Sequence, residues 1–115
     1  MIEKSLIDRL SPLVEGRVYF GVAPVDAAQP RLVIQTIGGE VGITLSGPDG
    51  FRGASIQLDA WGTTYLEALT LAEQALAAMT AAGDDFTTGS ADRLPDEFED
   101  DTKLFSVRWE YTLQP

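Results

Sequence analysis

The stretch from Ile56 to Met79 constrains this chain more than any other. An alternating strand ending in Asp59-Ala60-Trp61 turns through Gly62-Thr63 into a helix with a marked start. At a period of two, Ile56, Leu58 and Ala60 fall on one face and Gln57, Asp59 and Trp61 on the other. One face is core; the other meets water or a partner. Thr64 and Glu67 stand at capping-box spacing. This predicts that the Thr64 hydroxyl accepts from the Glu67 amide and that the Glu67 carboxylate accepts from the Thr64 amide. Leu66, Leu69, Ala72, Leu76 and Met79 then recur at helical spacing as the expected buried stripe, with Gly83 as a left-handed stop. Nothing in the segment is catalytic in character.

Elsewhere the pattern alternates between the same two periods. Ile2, Leu6, Leu10 and Leu13 form an apolar stripe, so an amphipathic helix opens the chain; Ser11-Pro12 bends it or starts a fresh turn, and Glu15-Gly16 ends it. Arg17 to Val22 reads as a first strand with Val18, Phe20 and Val22 on one face and Tyr19 on the other, Gly21 marking a bulge or a close approach. Ala23 to Pro30 connects it to a β-branched run from Arg31 to Ile37. Gly38-Gly39 breaks that run before Val41, Ile43 and Leu45 alternate again. The cluster Ser46-Gly47-Pro48-Asp49-Gly50 is a turn or hairpin loop, after which Ala54 to Trp61 resumes the sheet. Asp84 to Thr102 lacks sustained periodicity and reads as a solvated acidic loop. In the last strand Phe105, Val107, Trp109, Tyr111 and Leu113 share one face, and Ser106, Arg108, Glu110 and Thr112 the other. Strands in a block with few helices give an α+β fold: a two-layer sandwich whose mainly antiparallel β-sheet has two helices packed on one face.

Composition narrows what such a sandwich does. The 115 residues fit one domain, spanning 1–115, in which folding buries roughly two-thirds of the surface of the unfolded chain. There is no cysteine and no histidine, so thiolate chemistry, disulfides, the commonest general base and the commonest metal ligand are all missing. No basic-then-apolar signal segment stands at Met1, and no apolar run approaches the roughly 18 residues of a membrane span. The expectation is a soluble, intracellular product with no membrane partner. A net charge of −10 offers no excess of Lys and Arg to displace counterions from a phosphate backbone, which disfavours a nucleic-acid reader. The acidity serves solubility, or lines a passage through which another polyanion slides.

The candidate sites are few. The acidic run from Asp92 to Asp101 lacks the alternating spacing and glycine of an EF-hand, so no metal is expected. Gly47, Gly50 and Gly53 form a turn and not a phosphate cradle, since no Lys-Ser or Lys-Thr follows to open a helix. A serine nucleophile would have only Lys4 or Lys103 as its base. No cofactor and no enzymatic activity are therefore expected. Trp61 and Tyr19 lie opposite the assigned core residues and mark a contact surface, unless the helices cover that very face. Arg17, Arg31, Arg52 and Arg108 are notable in so acidic a chain. Each forms an isolated surface ion pair or grips a carboxylate on a neighbouring subunit.

One ordered set of motifs resembles a known family. Gly16-Arg17-Val18-Tyr19, Ala23-Pro24, Gln29-Pro30 before Leu32-Val33-Ile34, and Ile56-Gln57-Leu58-Asp59-Ala60-Trp61 before Tyr65-Leu66-Glu67-Ala68 and Leu71-Ala72 are similar to the tail-completion, or tail-terminator, proteins of long-tailed bacteriophages. The chain departs from that pattern at Arg31, where an aromatic commonly follows the proline, and in its acidic insert before the last strand. The resemblance implies a structural subunit of the virion tail, made in the host cytoplasm. It implies a ring, typically a hexamer, that caps the completed tail tube, stops its polymerisation and joins it to the head connector or stopper protein. DNA would pass through the lumen without specific binding.

A closed ring needs a heterologous interface. For it the expected contacts are Arg17, Tyr19, Trp61 and Arg108, with the loop of Gly47, Pro48, Asp49, Gly50, Phe51 and Arg52 reaching the tail tube protein. The alternative is a monomeric or dimeric protein-binding adaptor with no virion role.

Overall fold

A computed structural model describes residues 2–24, 26–38 and 53–114. The alternating run of Val41, Ile43 and Leu45 and the Gly47-to-Arg52 loop lie outside the described residues. Helix α1 spans Ile2–Leu10 and continues as a 3-10 turn over Ser11–Leu13, so Pro12 starts a fresh turn, sitting where the first helical amides need no partner. The strands are β1 (Val18–Phe20), β2 (Arg31–Gly38), β3 (Ala54–Gly62), β4 (Thr87–Arg93), β5 (Glu97–Glu99) and β6 (Leu104–Gln114), with helix α2 (Tyr65–Thr80) between β3 and β4. They form one mixed sheet in the order β1-β2-β3-β6-β4, with β5 also paired to β6. Among the described residues only the β1–β2 pair is parallel. The fold is α+β, with the two helices on one face.

The period-two reading of β3 and β6 holds. Ile56, Leu58 and Ala60 of β3 join Leu32 and Ile34 of β2, Val107, Tyr111 and Leu113 of β6, and the inner faces of both helices in one core. β1 is shorter than expected: it stops at Phe20, Gly21 takes φ +80 and donates its amide to Ile34, and Val22 is 83% exposed.

Helix α2 begins as predicted, and of its expected stripe Ala72 and Met79 lie in the core and Leu69 and Leu76 pack against it, while Leu66 does not. The Thr64 hydroxyl accepts from the Glu67 amide at 3.1 Å, while the Glu67 carboxylate takes the amide of Thr63, one residue earlier than the capping-box spacing predicts. Gly62 permits that tight entry, since a Cβ there would stand 2.8 Å from the Ala68 nitrogen. The buried positions are Ala68, Leu71, Ala72, Ala75 and Met79, and Leu66 is 69% exposed. The centre of the buried face is shifted toward Ala68, Leu71 and Ala75, leaving Leu69 and Leu76 at its margin, because the small alanines let helix and sheet approach closely. Nor does Gly83 stop the helix in a left-handed turn. Ala81 caps it in an extended conformation, and Arg9 of α1 takes the terminal carbonyls.

The segment from Asp84 to Thr102, expected as an aperiodic loop, contains β4 and β5. Both are stitched to β6, whose eleven residues are long enough to pair with β3 on one side and with both short strands on the other. Backbone pairing supplies the order that the polar sequence of these strands does not announce. Phe86 anchors the start of β4 in the core.

Candidate functional site

The sheet face away from the helices carries Tyr19, Arg31, Trp61 and Arg108 of the side chains singled out from sequence. The register sets Tyr19 beside Val33, Val33 beside Asp59, and Asp59 beside Arg108, a single row across four strands. A neighbouring row on the same face runs Arg31, Trp61, Ser106, Glu97. Trp61 is thus outside the core. Arg31 stacks on it, its guanidinium 5.8 Å from the ring centroid, with its Nε buried and without a hydrogen-bond partner among the described residues.

Between these rows and the segment after β1 opens a pocket of about 280 Å³, lined by Val22, Pro24, Arg31, Val33, Asp59, Trp61, Glu99 and Thr102 among others. Val33 is buried although it stands apart from the core cluster, because this second, smaller layer covers it. Asp59 is only 3% exposed. Burial pushes its carboxyl above the ordinary aspartate range, and the opposing pulls are weaker: hydrogen bonds from Gln57 at 2.8 Å and Gln35 at 3.1 Å, and the field of Arg108.

On the helix side, a second groove of about 380 Å³ runs between the 3-10 turn, Pro30 and α2, lined by Leu13, Pro30, Thr64, Leu66, Glu67, Thr70, Leu71 and Gln74. Among the described residues no group of three or more acidic, histidine or cysteine side chains is placed to hold a metal ion. No described helix is long and apolar enough to cross a membrane.

Of the four residues expected at subunit contacts, Tyr19, Trp61 and Arg108 share the helix-free face. Arg17 lies at its edge, one position before β1. Both arginines also have partners within the chain. Arg17 donates through Nε to the Pro30 carbonyl at 2.8 Å and pairs with Glu15 at 3.2 Å. Arg108 donates to the Pro95 carbonyl at 3.0 Å and pairs with Glu97 at 3.2 Å. The tube-contact loop of Gly47, Pro48, Asp49, Gly50, Phe51 and Arg52 lies outside the described residues.

Sequence reasoning missed the pocket itself. It forms where the chain after β1 folds back over β2 and β3 beside the turn after β5, a meeting of distant segments that no local period encodes. Also absent from the sequence expectations is the cluster at the same end of β6 on its other face, where Phe98, Phe105 and Tyr65 pack together and the Tyr65 hydroxyl donates to Asp96 at 2.9 Å.

Comparison with known proteins gives three findings. A family model described as "Tail completion protein gp17" matches residues 5–113. Among solved structures, the chain is similar to the gp17 protein of bacteriophage SPP1, at 17% identity and a TM-score of 0.50 over 96% of this chain and 87% of that one. It is also similar to a chain from the virion of a native gene transfer agent particle, at 14% identity and a TM-score of 0.49 over 92% of this chain and 84% of that one. No curated protein matches it.

Proposed function

The chain belongs to the tail completion protein gp17 family, and from that premise we propose that it assembles as a ring of six copies on the end of a finished phage tail tube. The ring stops further polymerisation and presents a surface to the head connector or stopper protein, leaving a lumen through which DNA moves without specific binding. The role is structural and not catalytic. One observation carries the reading: the family match runs over residues 5–113, so it embraces both faces of the sheet and both helices and not a single shared motif.

Charge and surface chemistry support it. A chain with net charge −10 repels the DNA backbone, the property a conduit needs. In this reading Arg17, Tyr19, Trp61 and Arg108 contact neighbouring subunits, and the Gly47-to-Arg52 loop contacts the tail tube. The pocket beside Trp61 makes the helix-free face a recessed contact surface, a form suited to receiving a protruding side chain from another protein.

The defining act of a terminator is to halt growth. Tail tube protein polymerised with increasing amounts of this protein should give progressively shorter tubes. Tubes of unchanged length at saturating protein would exclude the terminating role.

A further inference from the structure

We propose that neighbouring copies join edge to edge, β4 of one copy pairing antiparallel with β1 of the next, with Arg17 of one set against Asp92 and Glu110 of the other. The inference rests on the ring reading and gives it a residue-level joint.

Strand polarity is the first argument. In the order β1-β2-β3-β6-β4, the two outer strands are β1 and β4, and among the described residues each has a partner on one side only. β1 runs with β2, and the three remaining steps are all antiparallel, so β4 runs opposite to β1. A second copy placed beside the first in the same orientation therefore offers its β1 antiparallel to the free side of β4. The contact uses two different patches, which is the heterologous relation a ring requires. Neither strand contains proline or lysine, although β4 carries a bulge between Thr88 and Ser90 and the charged Asp92 and Arg93.

Register is the second. Ser90 and Asp92 sit opposite Thr112 and Glu110 on the helix-free face, while Ala91 sits opposite the core residue Tyr111. Tyr19 is beside Val33 on the helix-free face, and Val18 is beside the core residue Leu32. Placing Tyr19 opposite Ser90 puts Arg17 opposite Asp92 and Val18 opposite Ala91. Tyr19 and Ser90 then meet on the helix-free face and Val18 and Ala91 on the core face. Val18 and Ala91 are both half-buried and packed on the margins of the core, so their meeting continues the apolar layer from one copy into the next.

Charge is the third. Asp92 and Glu110 are direct cross-strand partners of like sign, and neither has an ion pair among the described residues. Such opposition is destabilising within one sheet. Arg17 has the complementary deficit: its Nε and Nη1 are engaged, while its Nη2 has no partner among the described residues. Laid in this register, a guanidinium with free donors comes against two unpaired carboxylates.

The chain has no cysteine, which makes the test clean. The double variant Tyr19→Cys with Ser90→Cys, assembled on tail tube protein and mildly oxidised, should yield a ladder of covalent multimers on denaturing gels. Each single variant should remain monomeric. Arg17→Asp alone and Asp92→Arg alone, each introduced into that double-cysteine background, should cut the cross-linked fraction by about tenfold, and the two together should restore it. Circular dichroism confirms that each variant is folded.

Rings visible by microscopy without a ladder would overturn the β4–β1 joint and leave the ring standing. Dimers from Ser90→Cys alone would replace it with a two-fold β4–β4 contact. Failure of the unaltered protein to form rings at all would remove the ring reading, and this joint with it.

Discussion

Arg9 of α1 closes on Asp85, beyond the end of α2, through two of its nitrogens: Nε donates to Oδ2 at 2.9 Å and Nη2 donates to Oδ1. The same guanidinium donates through Nη1 to the carbonyls of Ala78, Met79 and Ala81 and through Nη2 to that of Phe86, and it lies 4.0 Å from the centroid of the Phe86 ring. One side chain thus satisfies the carbonyls that a helix end leaves open and ties the first helix to the second.

Removing that side chain is expected to be costly. Arg9→Ala should destabilise the fold by about 2–4 kcal/mol, since it strands a carboxylate and several carbonyls together. Arg9→Lys should recover only part of this, because an ammonium lacks the planar fork. Gly83→Ala attacks the same latch from outside: its Cβ would stand 2.7 Å from both Arg9 Nη2 and Asp85 Oδ1, so a loss of about 1 kcal/mol is expected. Urea denaturation midpoints measure all three. An unchanged midpoint for Arg9→Ala would show the latch to be dispensable.

Two aspartates should give opposite pH dependences. The hydrogen bond from Arg9 holds the Asp85 carboxyl below its ordinary range, so its contribution is present above about pH 4 and lost as pH falls through the depressed value. Burial raises Asp59, so its contribution is full below about pH 4 and is lost as pH rises through the raised value. Stability measured against pH for Asp85→Asn and Asp59→Asn should show the acid-side loss flattened in the first and the neutral-side loss flattened in the second. Parallel curves for wild type and either variant would remove that residue from the account.

The buried face of α2 separates two leucines that look alike in sequence. Leu66→Ala, on the exposed face, should change stability by less than about 0.5 kcal/mol. Leu71→Ala, in the core, should cost about 2–5 kcal/mol. Thermal melting of the two variants checks this, and equal losses would contradict the burial pattern.

Trp61→Ala should leave the subunit folded and weaken assembly, because the indole lies outside the core and stacks on Arg31. Near-native circular dichroism together with reduced multimer in analytical ultracentrifugation is the expected pair of results. An unfolded variant would place the side chain's role in folding.

Deleting residues 47–53 tests the proposed tube contact. Co-sedimentation with tail tubes should be lost while the fold persists, and undiminished co-sedimentation would refute the contact.

How much of this was legible in the sequence depends on the range of the signal. The alternation of Ile56, Leu58 and Ala60 against Gln57, Asp59 and Trp61 is local, and it gave the faces of β3 correctly. The hydroxyl of Thr64 marked the start of α2 for the same reason. β4 and β5 escaped because Thr-Thr-Gly-Ser-Ala-Asp-Arg and Glu-Phe-Glu have little apolar alternation; what orders them is backbone pairing with a strand that comes later in the chain. Arg9 escaped because its partners lie some 70 residues away, and an arginine in the last turn of a short helix reads as an ordinary charge. Of the residues proposed as subunit contacts, Tyr19, Trp61 and Arg108 were placed on one face by period alone, whereas the pocket that joins Trp61 to Asp59 depends on the path of the chain after β1.

The capped ring is tested by electron microscopy of the protein mixed with tail tube protein, after native mass measurement of the protein alone. Rings, or tubes closed at one end by a ring of this protein, are expected. Open tubes with no bound protein under every condition, and a mass that stays that of a monomer or dimer, would contradict it and return the chain to the adaptor reading.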